Sequence, residues 1–335
     1  MAPLAPVAIS GHSCISQPNG CNDQDRRHWR PCGRGNGETA PMDRLSLRAK
    51  SLPDSSMPRS MALSPEEQAQ RERFEQTYLR SRSPAMLSIE RGVCGCDYGA
   101  TSWTTRAEAD EIRALLELRP GLRLLDVGAG SGWPGLYLAE TSGCEVALVD
   151  LPLAGLRIAA ARSIKDRTAG ACWFAVADAA VLPFRDNSFD AVSHSDVLCC
   201  LRGKRAVLEG CRRVVRSQGR MVFSVISVAP GLTLADHRLA IENGPEFVES
   251  ETDYPTLLTR TGWTVVDYRD LTQNYAASCR RQLHADERRR DALVSLLGAA
   301  QFAERRADWR SKLEALGKGL LRRELFVTTP GQMLR

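Results

Sequence analysis

Apolar runs of strand length alternate with amphipathic stretches of helix length from about residue 105 onward. Residues 122–125, 145–149, 173–177, 191–193 and 220–228 read as strands, the last as a near-continuous apolar run of the kind a strand buried on both faces carries. Residues 156–167 and 204–216 read as the intervening helices. This alternation predicts an α/β fold with a doubly wound, mostly parallel sheet. Further on, residues 235–248 and 254–260 read as helices, 263–268 as a strand, 274–320 as one or two charged amphipathic helices and 324–328 as a final strand. Upstream, Ser64-Pro65-Glu66-Glu67 and Thr105-Arg106-Ala107-Glu108 are capping boxes that open helices reaching about Arg80 and Leu118.

The loop after the first strand carries the chemistry. Asp126-Val127-Gly128-Ala129-Gly130-Ser131-Gly132-Trp133-Pro134 joins that strand to a helix starting near Pro134. A strand, a glycine-dense turn and a helix N-terminus form a pocket for an adenosine-type cofactor. Gly130 to Gly135 also satisfies G-x-G-x-x-G, and Asp150 stands twenty residues past Gly130. The loop alone therefore admits a nicotinamide dinucleotide as well. Asp126 separates the two readings. A fixed negative charge has little use beside a pyrophosphate, but suits the cationic amino-acid end of S-adenosylmethionine. Asp150, closing the second strand, is placed to accept both ribose hydroxyls, and Asp178, closing the third, to accept from an adenine amino group.

The runs LLDVGAGSGWPGLYLA, VALVD, ADAAVLPFRDNSFD and QGRMVFSVI resemble class I S-adenosylmethionine-dependent methyltransferases, and within them the small-molecule group that includes quinone-biosynthesis and phosphoethanolamine methyltransferases. The resemblance covers roughly residues 90–230. It implies a seven-stranded sheet with an antiparallel edge strand supplied by residues 324–328, and a helical lid in the C-terminal third. It implies S-adenosylmethionine as cofactor and a small-molecule acceptor. Asp126, Gly128, Ala129, Gly130 and Gly132 would form the amino-acid pocket. Asp150 and Leu151 would hold the ribose, Asp178 and Ala179 would flank the adenine, and Ser195 would lie near the methionine end. The resemblance also places Tyr98 over the cofactor and Trp103 near it, with plain burial of both as the alternative. His194, at the end of the fourth strand, is the candidate general base. Trp103 and Tyr275 are candidate substrate contacts, and Arg280 and Arg281 could face an anionic acceptor from the lid. The rival readings are a nicotinamide-dependent oxidoreductase and an inactive methyltransferase fold serving as a binding or assembly subunit.

Composition narrows the setting. The 335 residues are 43% hydrophobic and 25% charged, enough for one large domain with appendages. Of the +5 formal charge, +3 falls in residues 1–60, and the balanced body gives no case for nucleic acid. No apolar run reaches spanning length, and the opening residues lack the basic start and apolar core of a secretory signal. Eleven scattered cysteines read as reduced thiols of a cytoplasmic protein, and a monomer or homodimer is expected. The pairs Cys94/Cys96 and Cys199/Cys200 raise soft-metal or arsenite chemistry, but plain packing is the stronger reading, and no resident metal is expected. Residues 1–60, rich in Pro, Gly, Ser and Arg, read as a disordered tail. His12, Cys14, Cys21, His28 and Cys32 there lack paired zinc-knuckle spacing, and Met57 and Met61 are alternative starts. The organisation expected is a tail (1–60), N-terminal helices with a cofactor-covering loop (61–120), a cofactor-binding core (121–230) and a substrate lid with the last strands (231–330).

Overall fold

The computed structural model describes residues 8–9 and 63–331. The expected tail, its zinc reading and the alternative starts lie outside the described residues, apart from Ala8–Ile9, which form a two-residue strand, β1. Within 63–331, seven strands follow: β2 (Arg123–Val127), β3 (Glu145–Asp150), β4 (Cys172–Val176), β5 (Phe189–Ser195), β6 (Val215–Val228), β7 (Trp263–Asp270) and β8 (Leu321–Pro330). All join one sheet in the order β1-β4-β3-β2-β5-β6-β8-β7. Strands β4, β3, β2, β5 and β6 run parallel, while β8 is antiparallel to both β6 and β7. Antiparallel β8 is thus held one position in, with β7 at that edge, and at the other edge β1 pairs antiparallel with β4.

The helices are α1 (Pro65–Ser81), α2 (Pro84–Val93), α3 (Arg106–Leu115), α4 (Gly135–Ser142), α5 (Leu153–Asp166), α6 (Lys204–Val214), α7 (Leu234–Asn243), α8 (Tyr254–Arg260), α9 (Thr272–Arg288), α10 (Arg290–Leu297) and α11 (Ala299–Gly317). Both capping boxes form as read: Ser64 and Thr105 each accept from the backbone of the third helical residue, whose Glu side chain reaches back to the cap. Residues 274–320 form parts of three helices, because Arg289 and Gly298 break the run. The helix expected over 235–248 ends at Asn243, before Gly244-Pro245.

Strand pleating sorts the core into two layers. On one face Leu124, Leu148, Ala191 and Val222 pack with Ile112 of α3, Leu138 of α4 and Leu156 of α5. On the other, Leu125, Val149, Val192 and Phe223 pack with Val207 and Leu208 of α6 and Leu257 of α8. After β4 the chain crosses to the far side of β2 to form β5, so the strand order reverses between β2 and β5. Doubly wound sheets hold ligands outside the carboxyl ends of their strands at such a switch point. Among the described residues, no helix is long and apolar enough to cross a membrane.

Candidate active site

A cleft of about 760 Å³ lies across this switch point. Its floor is the glycine loop, with Gly128, Ala129, Gly130 and Ser131, flanked by Asp150 and Leu151 at the end of β3, Asp178 after β4, and Ser195 and Asp196 at the end of β5. Gly128 and Gly130 have φ of 68° and 50°, and a Cβ on them would collide with Val197 and with the Tyr78 hydroxyl respectively. Glycine is therefore needed at both for conformation and for close approach.

Asp150 is fixed by its own backbone surroundings. One carboxylate oxygen accepts from Gly130 N at 2.6 Å and the other from Leu151 N at 2.7 Å. Burial pushes its carboxyl up to about 6, and those two N–H groups oppose the rise. Each oxygen keeps a lone pair, so the side chain can accept two vicinal hydroxyls. Asp178 folds its carboxylate onto Ala180 N at 2.9 Å, ordering the turn at the adjacent wall. Ser195 lines the cleft, and its buried hydroxyl has no partner among the described residues. These features fit a ribose-bearing cofactor with a polar tail.

Several expected residues lie elsewhere. Asp126 is buried below the loop and does not line the cleft. Its Oδ1 accepts from Ser193 Oγ at 2.8 Å, while its Oδ2 lies against the first turn of α4, where a Cβ on Gly135 would strike it. It braces the strand–helix junction, and burial pushes its carboxyl up to about 7. Gly132 also faces inward, towards Leu136 and Ala159. Ala179 packs against the core, and Ala180 and Val181 line the cleft in its place.

His194 is not placed to act as a base. Pleat alternation sends it to the face opposite Ser193, into the layer shared with α6 and α8. There it is fully buried, stacked on Phe223 at 4.5 Å with neither ring nitrogen bonded. Burial lowers its pKa to about 3, so the imidazole is neutral.

Tyr98 does not cover the cleft either. It is buried against Trp133, ring centroids 5.1 Å apart, with the Arg162 guanidinium 3.6 Å over its ring. Its loop is tied down by Glu90, which accepts from Tyr98 N, Gly99 N and Ala100 N. Trp103 from that loop does line the cleft, backed edge-on by Tyr275 and Trp309. Tyr275 itself is buried behind Trp103. Arg280 is exposed, and Arg281 bonds Val93 O and Ser278 Oγ rather than facing the cleft. The helices of 274–320 instead contribute Gln282, Arg305 and Trp309 to a separate cavity of about 170 Å³ behind the 99–103 loop.

The roof of the cleft is α1. Glu67, Gln70, Arg71, Phe74 and Tyr78 form one helical stripe facing the loop. Glu75 pins the helix by accepting from Ala154 N, at the N-terminus of α5, with both oxygens at 3.1 Å. The Tyr78 hydroxyl lies 3.4 Å from Thr101 Oγ1. The stripe mixes an acid, a base, an amide and two aromatics, so hydrophobic periodicity does not reveal it. The helix itself was visible from its cap.

The second residue group missed from sequence surrounds Arg323 on β8, only 1% exposed. Its Nε donates to Asp196 Oδ1 at 2.9 Å, its Nη1 to Glu108 at 3.1 Å and its Nη2 to Ser224 Oγ at 3.2 Å. Asp196, at φ 58°, is thereby held at the cleft beside Ser195. Nothing local in the sequence links positions 108, 196 and 323. Cys199 and Cys200 also line the cleft, their thiols donating to Asp196 O at 3.2 and 3.6 Å. Among the described residues, no group of three His, Cys, Asp or Glu could hold a metal ion.

A methyltransferase domain model matches residues 125–223, the span from β2 through the first half of β6. A phosphoethanolamine N-methyltransferase of Triticum aestivum is 26% identical over 219 residues, covering 65% of this chain and 43% of that enzyme. This chain thus spans under half the length of that relative. A ubiquinone/menaquinone biosynthesis C-methyltransferase of Acidiphilium cryptum (strain JF-5) is 31% identical over 189 residues, covering 50% of this chain and 76% of that protein. Among solved structures, Haemonchus contortus phosphoethanolamine N-methyltransferase 2 in complex with S-adenosyl-L-methionine aligns with a TM-score of 0.65 at 18% identity, covering 78% of this chain and 60% of that one. A mycolic acid cyclopropane synthase complexed with S-adenosylhomocysteine and CTAB aligns at 0.63 and 16% identity, covering 77% and 98%. Sheet order, glycine loop, strand-end carboxylates and these matches agree: the chain belongs to the S-adenosylmethionine-dependent methyltransferase family.

Proposed function

We propose that the protein transfers a methyl group from S-adenosylmethionine to a small-molecule acceptor, both bound in the 760 Å³ cleft. The observation that carries this reading is the Asp150 carboxylate, oriented by Gly130 N and Leu151 N at the mouth of the glycine loop. Asp150 and Leu151 would hold the ribose, Asp178 with Ala180 and Val181 the adenine side, and Gly128, Ala129, Gly130 and Ser195 the methionine end. Trp103 and Asp196 would face the acceptor. Family membership decides the glycine loop for this cofactor over nicotinamide.

The sulfonium supplies both the electrophile and a neutral leaving group, so displacement needs no covalent help from the protein. The chain's task is to hold the acceptor atom in line and to exclude water. The α1 stripe and Trp103 close the cleft from above. Asp196 is the one cleft carboxylate on the β5–β6 side, and it can take a hydrogen bond from a protic acceptor. The eight described cysteines are free thiols, which supports a cytoplasmic setting. Calorimetric titration with S-adenosylhomocysteine tests the cofactor assignment, with NADH as control. Binding of the first alone is expected, and no binding by folded protein sinks the reading.

A further inference from the structure

We infer that the acceptor is an uncharged, largely apolar molecule with a single protic head group, and not a small phosphorylated amine. The inference rests on the methyltransferase reading of the cleft.

The cleft has two unlike halves. The half over β2, β3 and β4 carries Asp150, Asp178 and the glycine loop. The half over β5 and β6 is walled by Trp103, Val197, Cys199, Cys200, Val207 and Ile226. At one corner Ser195 and Asp196 stand side by side at the end of β5, the Ser195 hydroxyl without a partner and the Asp196 carboxylate paired with Arg323. An apolar wall with one polar corner selects an apolar body carrying one hydrogen-bonding atom. That corner lies at the junction of the halves, where the acceptor atom must meet the methyl group.

The charge inventory points the same way. Four carboxylates line the cleft: Glu67, Asp150, Asp178 and Asp196. Among the described residues only two cations do, Arg71 in the roof and Arg202 at the rim. Arg202 is already paired with Glu66 at 3.3 Å and lies over the Phe247 ring at 5.1 Å. Buried Arg323 is spent on Asp196 and Glu108, and buried Lys204 donates to Leu201 O and Phe247 O. A phosphomonoester dianion in the β5–β6 half would face apolar wall and an Asp196 already paired with Arg323, leaving Arg71 in the roof as the one cleft cation among the described residues that no carboxylate holds, too little to offset its desolvation.

The experiment is calorimetric titration of the full chain, first with S-adenosylhomocysteine and then, in its saturating presence, with 2-naphthol, decan-1-ol or phosphoethanolamine. At least one uncharged probe should bind ten times or more tighter than phosphoethanolamine. Ala206→Trp and Cys200→Trp, which narrow this half, should weaken that probe at least tenfold and leave S-adenosylhomocysteine binding within threefold. Ala206 is exposed on α6, so the first variant spares the core. Retained S-adenosylhomocysteine binding certifies each variant's fold. Phosphoethanolamine binding as tightly as the uncharged probes overturns the inference. So does the failure of both uncharged probes, or their indifference to both variants. Failure of S-adenosylhomocysteine to bind the wild-type chain is a different result, which removes the cofactor assignment itself.

Discussion

Two carboxylates on neighbouring strands, Asp126 in β2 and Asp150 at the end of β3, carry opposite consequences. Asp150 must be ionised to accept ribose hydroxyls, and its carboxyl titrates at about 6. S-adenosylhomocysteine affinity should therefore fall as pH drops through 6, by about tenfold at pH 5 if only the carboxylate form binds. Asp150→Ala should weaken binding by roughly 3 kcal/mol, two charge-assisted hydrogen bonds, at pH 8 and should flatten that pH profile. Asp126 concerns stability instead. Its folded pKa of about 7 lies above the ordinary carboxylate value, so the folded chain holds the proton more tightly than the unfolded one. Its contribution is then fully present below about pH 4 and is lost as pH rises towards 7. Asp126→Asn should remove that slope, which denaturant titration at pH 5 and pH 8 would show. An unchanged slope would contradict the account of its burial. Asp126 was legible as part of the glycine loop but not as a brace. Its identity follows from sequence, whereas the direction of its carboxylate depends on Ser193 and on the start of α4.

At the scale of elements, the strand–loop–helix from β2 to α4 was readable because an apolar run, four glycines and a helix start occupy adjacent positions. The roof was not. Helix α1 announces itself by its cap, but its cleft-facing stripe has no apolar period, and its partners lie in the loop near residue 101 and at the start of α5. Two tyrosines separate roof from scaffold. Tyr78→Ala should weaken S-adenosylhomocysteine about tenfold or more, because it uncovers Gly130. Tyr98→Ala should cost ~3 kcal/mol of stability by emptying a packed aromatic site, with cofactor affinity in the surviving fold nearly unchanged. Equal effects of the two on affinity would refute this division. His194 illustrates how parity decides function: β5 runs two residues past the apolar stretch, to Ser195, and the pleat then turns His194 into the core and leaves Ser195 at the cleft. His194→Phe should leave the pH profile of methyl transfer unchanged.

At the scale of the molecule, Arg323 ties the last strand to the site. It links α3, β5, β6 and β8 through Glu108, Asp196 and Ser224, none of them near it in sequence. Arg323→Met would leave two buried carboxylates without their cation and should destabilise the fold by about 3–5 kcal/mol, read as a lowered denaturant midpoint. The sheet order places all of this at one edge, so the fold class, once read from alternating apolar runs, also located the cleft. Side-chain direction and long-range pairing decided which residues face it. The account as a whole stands on Asp150 as the ribose anchor of a methyltransferase cleft. Calorimetric titration of S-adenosylhomocysteine into wild type and Asp150→Ala at pH 8, with NADH in parallel, measures that directly. Wild-type binding of S-adenosylhomocysteine alone, weakened about a hundredfold in the folded variant, is the expected result. Equal affinity in both proteins, or preferential binding of NADH, would contradict it.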